Sequence, residues 1–131
     1  MVISKNLHIC FIASLDSIHA RRWIKYFADL NYNISVIDYS NLSIKDNDDL
    51  PTNITVYKPL KIKTKSKAID TIFRLLLLPI NFWKISYIMK KLQPDIVHSH
   101  YVNDWSFIGA ANHDGPLVTT AWGSDILNTN L

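Results

Sequence analysis

The chain has 131 residues, 48% hydrophobic and 19% charged, with a formal net charge of +3. That balance belongs to one compact soluble domain of ordinary size. Its single cysteine, Cys10 in the apolar run LHICFIA, excludes a disulfide framework and a cysteine-based metal site; it reads as a core thiol and points to a reducing compartment.

The N-terminus MVISKNLHICFIASL has no basic stretch before its apolar run and no small-residue cleavage pattern, and the run is too short to cross a bilayer. Residues 7 to 13 are therefore expected to form a first strand buried on both faces. Asp16 or Ser17 then offers an N-cap for a helix from about Ile18 to Leu30, with Ile18, Trp23, Tyr26, Phe27 and Leu30 near helical spacing. After Asn31-Tyr32-Asn33, ISVIDY reads as strand two. The polar stretch SNLSIKDNDDLPTN is a loop, and ITVYKPL is a short third strand, placed at an edge because Pro59 lacks a ladder donor.

From Lys65 to Leu92 the pattern is helical, and Pro79 predicts two pieces rather than one. Gln93-Pro94 ends it. DIVHSH is strand four, Asn103 or Asp104 caps a helix to about Asn112, Asp114-Gly115-Pro116 turns the chain, and LVTTAW is strand five. Strands alternating with helices imply an α/β fold: a Rossmann-like doubly wound parallel sheet of about five strands with helices on both faces. After strand five, GSDIL starts a helix with only NTNL left, so the chain is expected to be a single domain, residues 1–131, cut from something larger.

The first loop, ASLDSIHARRW, contains no glycine, so the backbone cannot approach a pyrophosphate closely and NAD, FAD and ATP are disfavoured there. It presents instead His19, Arg21 and Arg22 at a helix start, suited to an anionic or hydroxyl-rich ligand, although solvated surface roles fit equally. His98, after Ile96 and Val97, reads as a partly buried histidine. His100, with Asn103 beside it, is the better ligand candidate, and no third ligand supports a zinc site, so no metal is expected. Gly123 lets the backbone leave strand five sharply, Ser124 or Asp125 can cap the next helix, and freed N–H groups can face a ligand. No G-x-S-x-G, H-E-x-x-H or C-x-x-C motif is present.

HARRWIKYFADLNYNISVIDY, QPDIVHSHYVNDWSFIGA and PLVTTAWGSDIL, in that order and spacing, resemble the N-terminal domain of family-4-like glycosyltransferases of the two-domain GT-B fold. The resemblance implies an acceptor-binding half of an enzyme that transfers a sugar from a nucleotide-sugar donor in polysaccharide or glycolipid synthesis, leaning towards retention. It implies no cofactor in this domain, since the donor would bind a missing C-terminal domain with an E-x7-E signature, and it implies inactivity of this half alone. Ser17, His19, Arg22, His100, Asn103, Trp122, Gly123, Ser124 and Asp125 would line the cleft. Many relatives carry His where Trp122 stands; an indole can stack on a sugar but cannot exchange protons, so no general base is named.

Relatives of this kind also resemble peripheral membrane proteins with lipid-linked acceptors. Phe73, Leu76, Leu77, Phe82 and Trp83 would insert while Lys61, Lys63, Lys65, Lys67 and Lys84 meet headgroups, on the cytoplasmic inner face of the membrane; packing against the sheet is the competing role for the apolar residues. Expected partners are a sugar or lipid-linked acceptor, a C-terminal donor-binding domain or separate subunit, and a membrane surface, with no nucleic acid. Alternatives are a complete non-catalytic, membrane-recruiting subunit of a split glycosyltransferase, or a flavodoxin-like binding module.

Overall fold

A computed structural model of the chain describes residues 7–40 and 50–123. Among these residues eight elements follow in order: β1 (His8–Ala13), α1 (Ile18–Asp29), β2 (Asn33–Asp38), β3 (Thr55–Tyr57), α2 (Lys67–Leu92), β4 (Ile96–His100), α3 (Asp104–Ala111) and β5 (Leu117–Thr120). The five strands pair in parallel in the order β3-β2-β1-β4-β5, so Thr55–Tyr57 is at an edge as Pro59 requires.

Side-chain alternation along β1 divides the core. Ile9 and Phe11 face one way with Ile34 and Val36 of β2 and meet Ile24 and Ala28 of α1. Cys10 and Ile12 face the other way with Ile37 and Val97 and meet Ile85, Ile88 and Met89 of α2 and Ile108 of α3. Each fully buried Phe, Ile or Leu side chain contributes roughly 1.5–3 kcal/mol, so both layers are held by the strands' double-sided apolar character. Burial also pushes the Cys10 thiol up to about 12, leaving it a neutral packing group.

The expected division of the long helix does not occur. Lys67–Leu92 runs through Pro79 as one helix. Proline removes the N–H that would reach the Leu75 carbonyl, but Leu75 and Pro79 are both exposed, where water can satisfy the freed oxygen. The buried stripe of Asn81, Ile85, Ile88 and Met89 then binds the C-terminal half to the sheet. Gln93, in the left-handed region with φ 43°, closes the helix through its N–H to the Met89 carbonyl at 2.9 Å.

Candidate functional site

In sheets of this order, ligands bind outside the carboxyl ends of the strands where the direction of winding reverses. Here the reversal lies between β1 and β4. The order differs from the 2-1-3-4-5 of flavodoxin-like folds, so the flavodoxin-like expectation is set aside. At the reversal an open cavity of about 590 Å³ is lined by Ser14, Asp16, Ser17, Ile18 and His19 of the first loop and helix, Tyr39 after β2, and Tyr101 and Asn103 after β4.

Contacts among the ends of β1, β2 and β4 fix the segments that line this cleft. Asp38 is fully buried; it accepts from the Leu15 N–H at 3.0 Å and from the Ser40 N–H and hydroxyl, both at 2.8 Å, and pairs with Lys58 at 3.0 Å. A buried carboxylate with that many donors is tightly fixed, and it fixes the first loop in turn. Leu15, where a dinucleotide fold would use glycine, is itself fully buried in the α1-side core. The Tyr39 hydroxyl donates to the His100 carbonyl at 2.8 Å, tying β2 to β4. Tyr101 holds φ 76°, a left-handed turn, and receives the Ser106 hydroxyl on its carbonyl.

The predicted residues fall into separate groups. Ser17, His19 and Asn103 meet around the cleft. Both polar caps are partly occupied: Ser17 Oγ accepts from the Ala20 N–H at 3.5 Å, and Asn103 Oδ1 from the Trp105 and Ser106 N–H groups, each at 3.1 Å. His100 lies behind the cleft with its side chain buried, in a ring cluster with Phe11, Trp23, His98 and Trp122. The His19 ring stacks on Trp122 at a centroid distance of 4.7 Å, so the cleft wall is continuous with that cluster.

Arg22 is not brought to the cleft; it borders a surface depression with Trp23 and Tyr26 on the outer side of α1. Gly123 adopts φ 87°, which favours glycine, while Ser124 and Asp125 lie outside the described residues. Ser14, Asp16, Tyr39 and Tyr101 line the cleft without having been expected there, Asp16 having been read only as a cap; position at the carboxyl end of a predicted parallel strand was the available signal.

Neither ring nitrogen of His100 has a hydrogen-bond partner among the described residues. Burial, followed by the charges of His98 and His19, pushes its pKa down to about 4, and burial lowers that of His98, whose Nε2 lies 2.8 Å from the Thr120 hydroxyl. Both imidazoles are thus neutral at pH 7. Among the described residues no group of three or more His, Cys, Asp or Glu converges as a metal set.

Of the proposed membrane residues, Lys63, Lys65, Lys67, Phe82 and Trp83 are exposed, Phe73, Leu77 and Lys84 are half-buried, and Leu76 is exposed. Lys61 is exposed as a residue but its ammonium turns inward: Nζ lies 3.3 Å from the Ser40 carbonyl and 5.9 Å from the Tyr39 ring centroid, and its partial burial lowers the pKa against the opposing pull of Asp38 and Asp16. Ile69, Ile72, Leu76, Ile80, Trp83 and Tyr87 form an exposed stripe along α2, at intervals of three or four residues.

The sequence profile described as Glycosyl transferase 4-like matches residues 8–131. No curated protein matches. Among solved structures, a glycosyltransferase from Rickettsia africae ESF-5 superposes with a TM-score of 0.57 at 20% identity, covering 88% of this chain and 29% of that one. The C-terminal domain (residues 83-215) of the PF1911 hydrogenase from Pyrococcus furiosus superposes with a TM-score of 0.62 at 11% identity, covering 88% of this chain and 92% of that one. At such identities these likenesses concern the fold alone. The three motifs, on α1–β2, β4–α3 and from β5 onward, thus lie within a profile match that spans nearly the whole sequence, and the chain belongs to the glycosyl transferase 4-like family.

Proposed function

We propose that this is the acceptor-side domain of a GT-B glycosyltransferase that moves a sugar from a nucleotide-sugar donor during polysaccharide or glycolipid synthesis. The observation that carries the reading is the open cleft at the β1/β4 reversal, walled by Ser17, His19, Tyr39, Tyr101 and Asn103, in a chain of this family. Imidazole, hydroxyl and amide groups beside aromatic rings suit hydroxyl-rich ligands, which combine polar edges with apolar C–H faces. The donor would bind a second domain across the cleft, with no cofactor held by this one, and transfer would need both halves. Retention is the expected stereochemistry.

The same domain would lie on the inner face of the cytoplasmic membrane. Lys67–Leu92 is long and apolar enough to cross a bilayer by length and composition, but Ile85, Ile88 and Met89 belong to the core, which favours lying on the surface over spanning it. Its exposed stripe, with Lys63, Lys65 and Lys67 at the N-terminal end, would enter an anionic interface. That face also favours a second reading, a non-catalytic subunit that carries a separate donor-binding chain to the membrane.

Steady-state transfer kinetics of the complete protein test the first reading. His19→Ala should raise KM for the acceptor by about tenfold and leave KM for the nucleotide-sugar unchanged. A donor effect as large as the acceptor effect would overturn it. Turnover appearing only when a separate donor-binding chain is added would establish the second.

A further inference from the structure

His100 ends β4 with its side chain almost wholly buried, and neither ring nitrogen is hydrogen-bonded among the described residues. A neutral imidazole carries one N–H donor and one bare acceptor nitrogen, so two polar atoms are held away from water without partners. Folded interiors pair such atoms, because an unpaired buried donor costs its full desolvation, and an exception calls for a cause.

The rings around His100 differ in how they are carried. Phe11 and His98 belong to strands and Trp23 to α1, at centroid distances of 6.0, 4.7 and 6.5 Å. Trp122, at 5.9 Å with planes 28° from parallel, belongs instead to the turn after β5. The residue after it, Gly123, holds φ 87°, a backbone state that glycine enters and leaves at little cost. The same indole stacks on His19 at 4.7 Å, and His19 lines the cleft. Trp122 therefore touches both the ligand-facing imidazole and the buried one, from the one member of the cluster that lies on neither strand nor helix.

Resting on the acceptor reading, we propose that Trp122 is a gate: seated, its indole closes the way from the cleft to His100, and turned outward about Gly123 it lets a hydroxyl of the bound ligand reach the idle ring nitrogens. Two opposing effects keep the states close in free energy. Stacking on two imidazoles and burial of the indole hold the gate shut. Pairing of the His100 nitrogens with a ligand hydroxyl draws it open. A ligand that meets His100 only in the open state shifts the population by its difference in affinity for the two states.

Fluorine NMR of the 131-residue chain labelled with fluorotryptophan reads the gate. The Trp122 resonance, assigned with Trp122→Phe, should show exchange with a minor open state of about 1–10% in relaxation dispersion. Gly123→Ala strains the seated backbone and should raise the open population about tenfold, while His100→Phe removes the idle nitrogens and should lower it about tenfold. The second change carries the test should the first unfold the domain. Methyl gluco-, galacto- and mannopyranosides serve as hydroxyl-rich probes: at least one should raise the open population saturably in the parent chain and leave His100→Phe unmoved. A Trp122 resonance without exchange, an open state equally populated in His100→Phe, or no response to any of the pyranosides would overturn the proposal. The acceptor reading fails separately, through a donor effect in the His19→Ala kinetics, which leaves the Trp122 exchange as it is.

Discussion

The imidazole of His19 lies on the indole of Trp122 with ring centroids 4.7 Å apart and planes 26° from parallel. This contact joins the first turn of α1 to the turn after β5. His19 also lines the cleft, so its ring connects the ligand-facing surface to the cluster of Trp122, His100, His98 and Trp23 behind it. Trp122→Ala removes a half-buried indole and is expected to destabilise the domain by about 2 kcal/mol in urea denaturation, less than the roughly 3–5 kcal/mol of a fully buried aromatic truncation. Trp122→His, which keeps a flat ring, should recover part of that loss.

His100 makes the domain sensitive to acid. Its folded pKa of about 4 lies below the ordinary imidazole value of 6.5, so the unfolded chain takes up the proton first. The contribution is fully present above pH 6.5, declines as pH falls towards 4 and is constant below that; the depression corresponds to about 3 kcal/mol at most. Burial lowers His98 in the same direction. Stability measured by denaturant between pH 7 and pH 4 should fall, and His100→Phe should flatten the slope without abolishing it. An unchanged slope would show that His100 does not carry it.

Asp38 holds the first loop from the end of β2. Asp38→Ala leaves the Leu15 and Ser40 N–H groups without their carboxylate and removes the 3.0 Å ion pair to Lys58. Loss of about 3–5 kcal/mol is expected, the usual consequence of breaking a buried ionic network. Amide exchange at Leu15 should accelerate more than at Ile24, since the loop loses its anchor while α1 keeps its core face.

Asn81→Ala tests the clamp beneath the β3–α2 connection. Two hydrogen bonds to Leu60 vanish from a buried side chain, for a loss of about 2 kcal/mol by thermal or urea unfolding.

Gly109 is a close-approach glycine. A Cβ placed there would lie 2.0 Å from the Ile12 Cδ1 atom, and Ile12 is fully buried, so its terminal methyl has little room to turn away. Gly109→Ala should destabilise by about 1–3 kcal/mol as α3 is pushed from the sheet, against the gain of about 1 kcal/mol that an exposed helical Gly→Ala change would bring.

The alternation of apolar runs and capped helical patterns determined much in advance: the element order, a cap at Asp16 or Ser17 and another at Asn103 or Asp104, of which the structure uses Ser17 and Asn103, the edge position of Thr55–Tyr57 and the Rossmann-like parallel sheet. Those features are local, because period, capping chemistry and proline act over a few residues and leave their mark in the linear chain. The continuity of α2 through Pro79 was not legible, since it depends on which side of the helix faces water and on Ile85, Ile88 and Met89 seating its other half. Nor could spacing tell that His19 and Asn103 would meet across the cleft while His100 turned away into a ring cluster and Arg22 pointed outward. The structure alone gave Asp38 its hold on the first loop, and Tyr39 its stack on Trp105 beside the cleft. Such relationships join residues tens of positions apart, and only the register of parallel strands and the seating of helices on opposite faces bring them within a few ångströms.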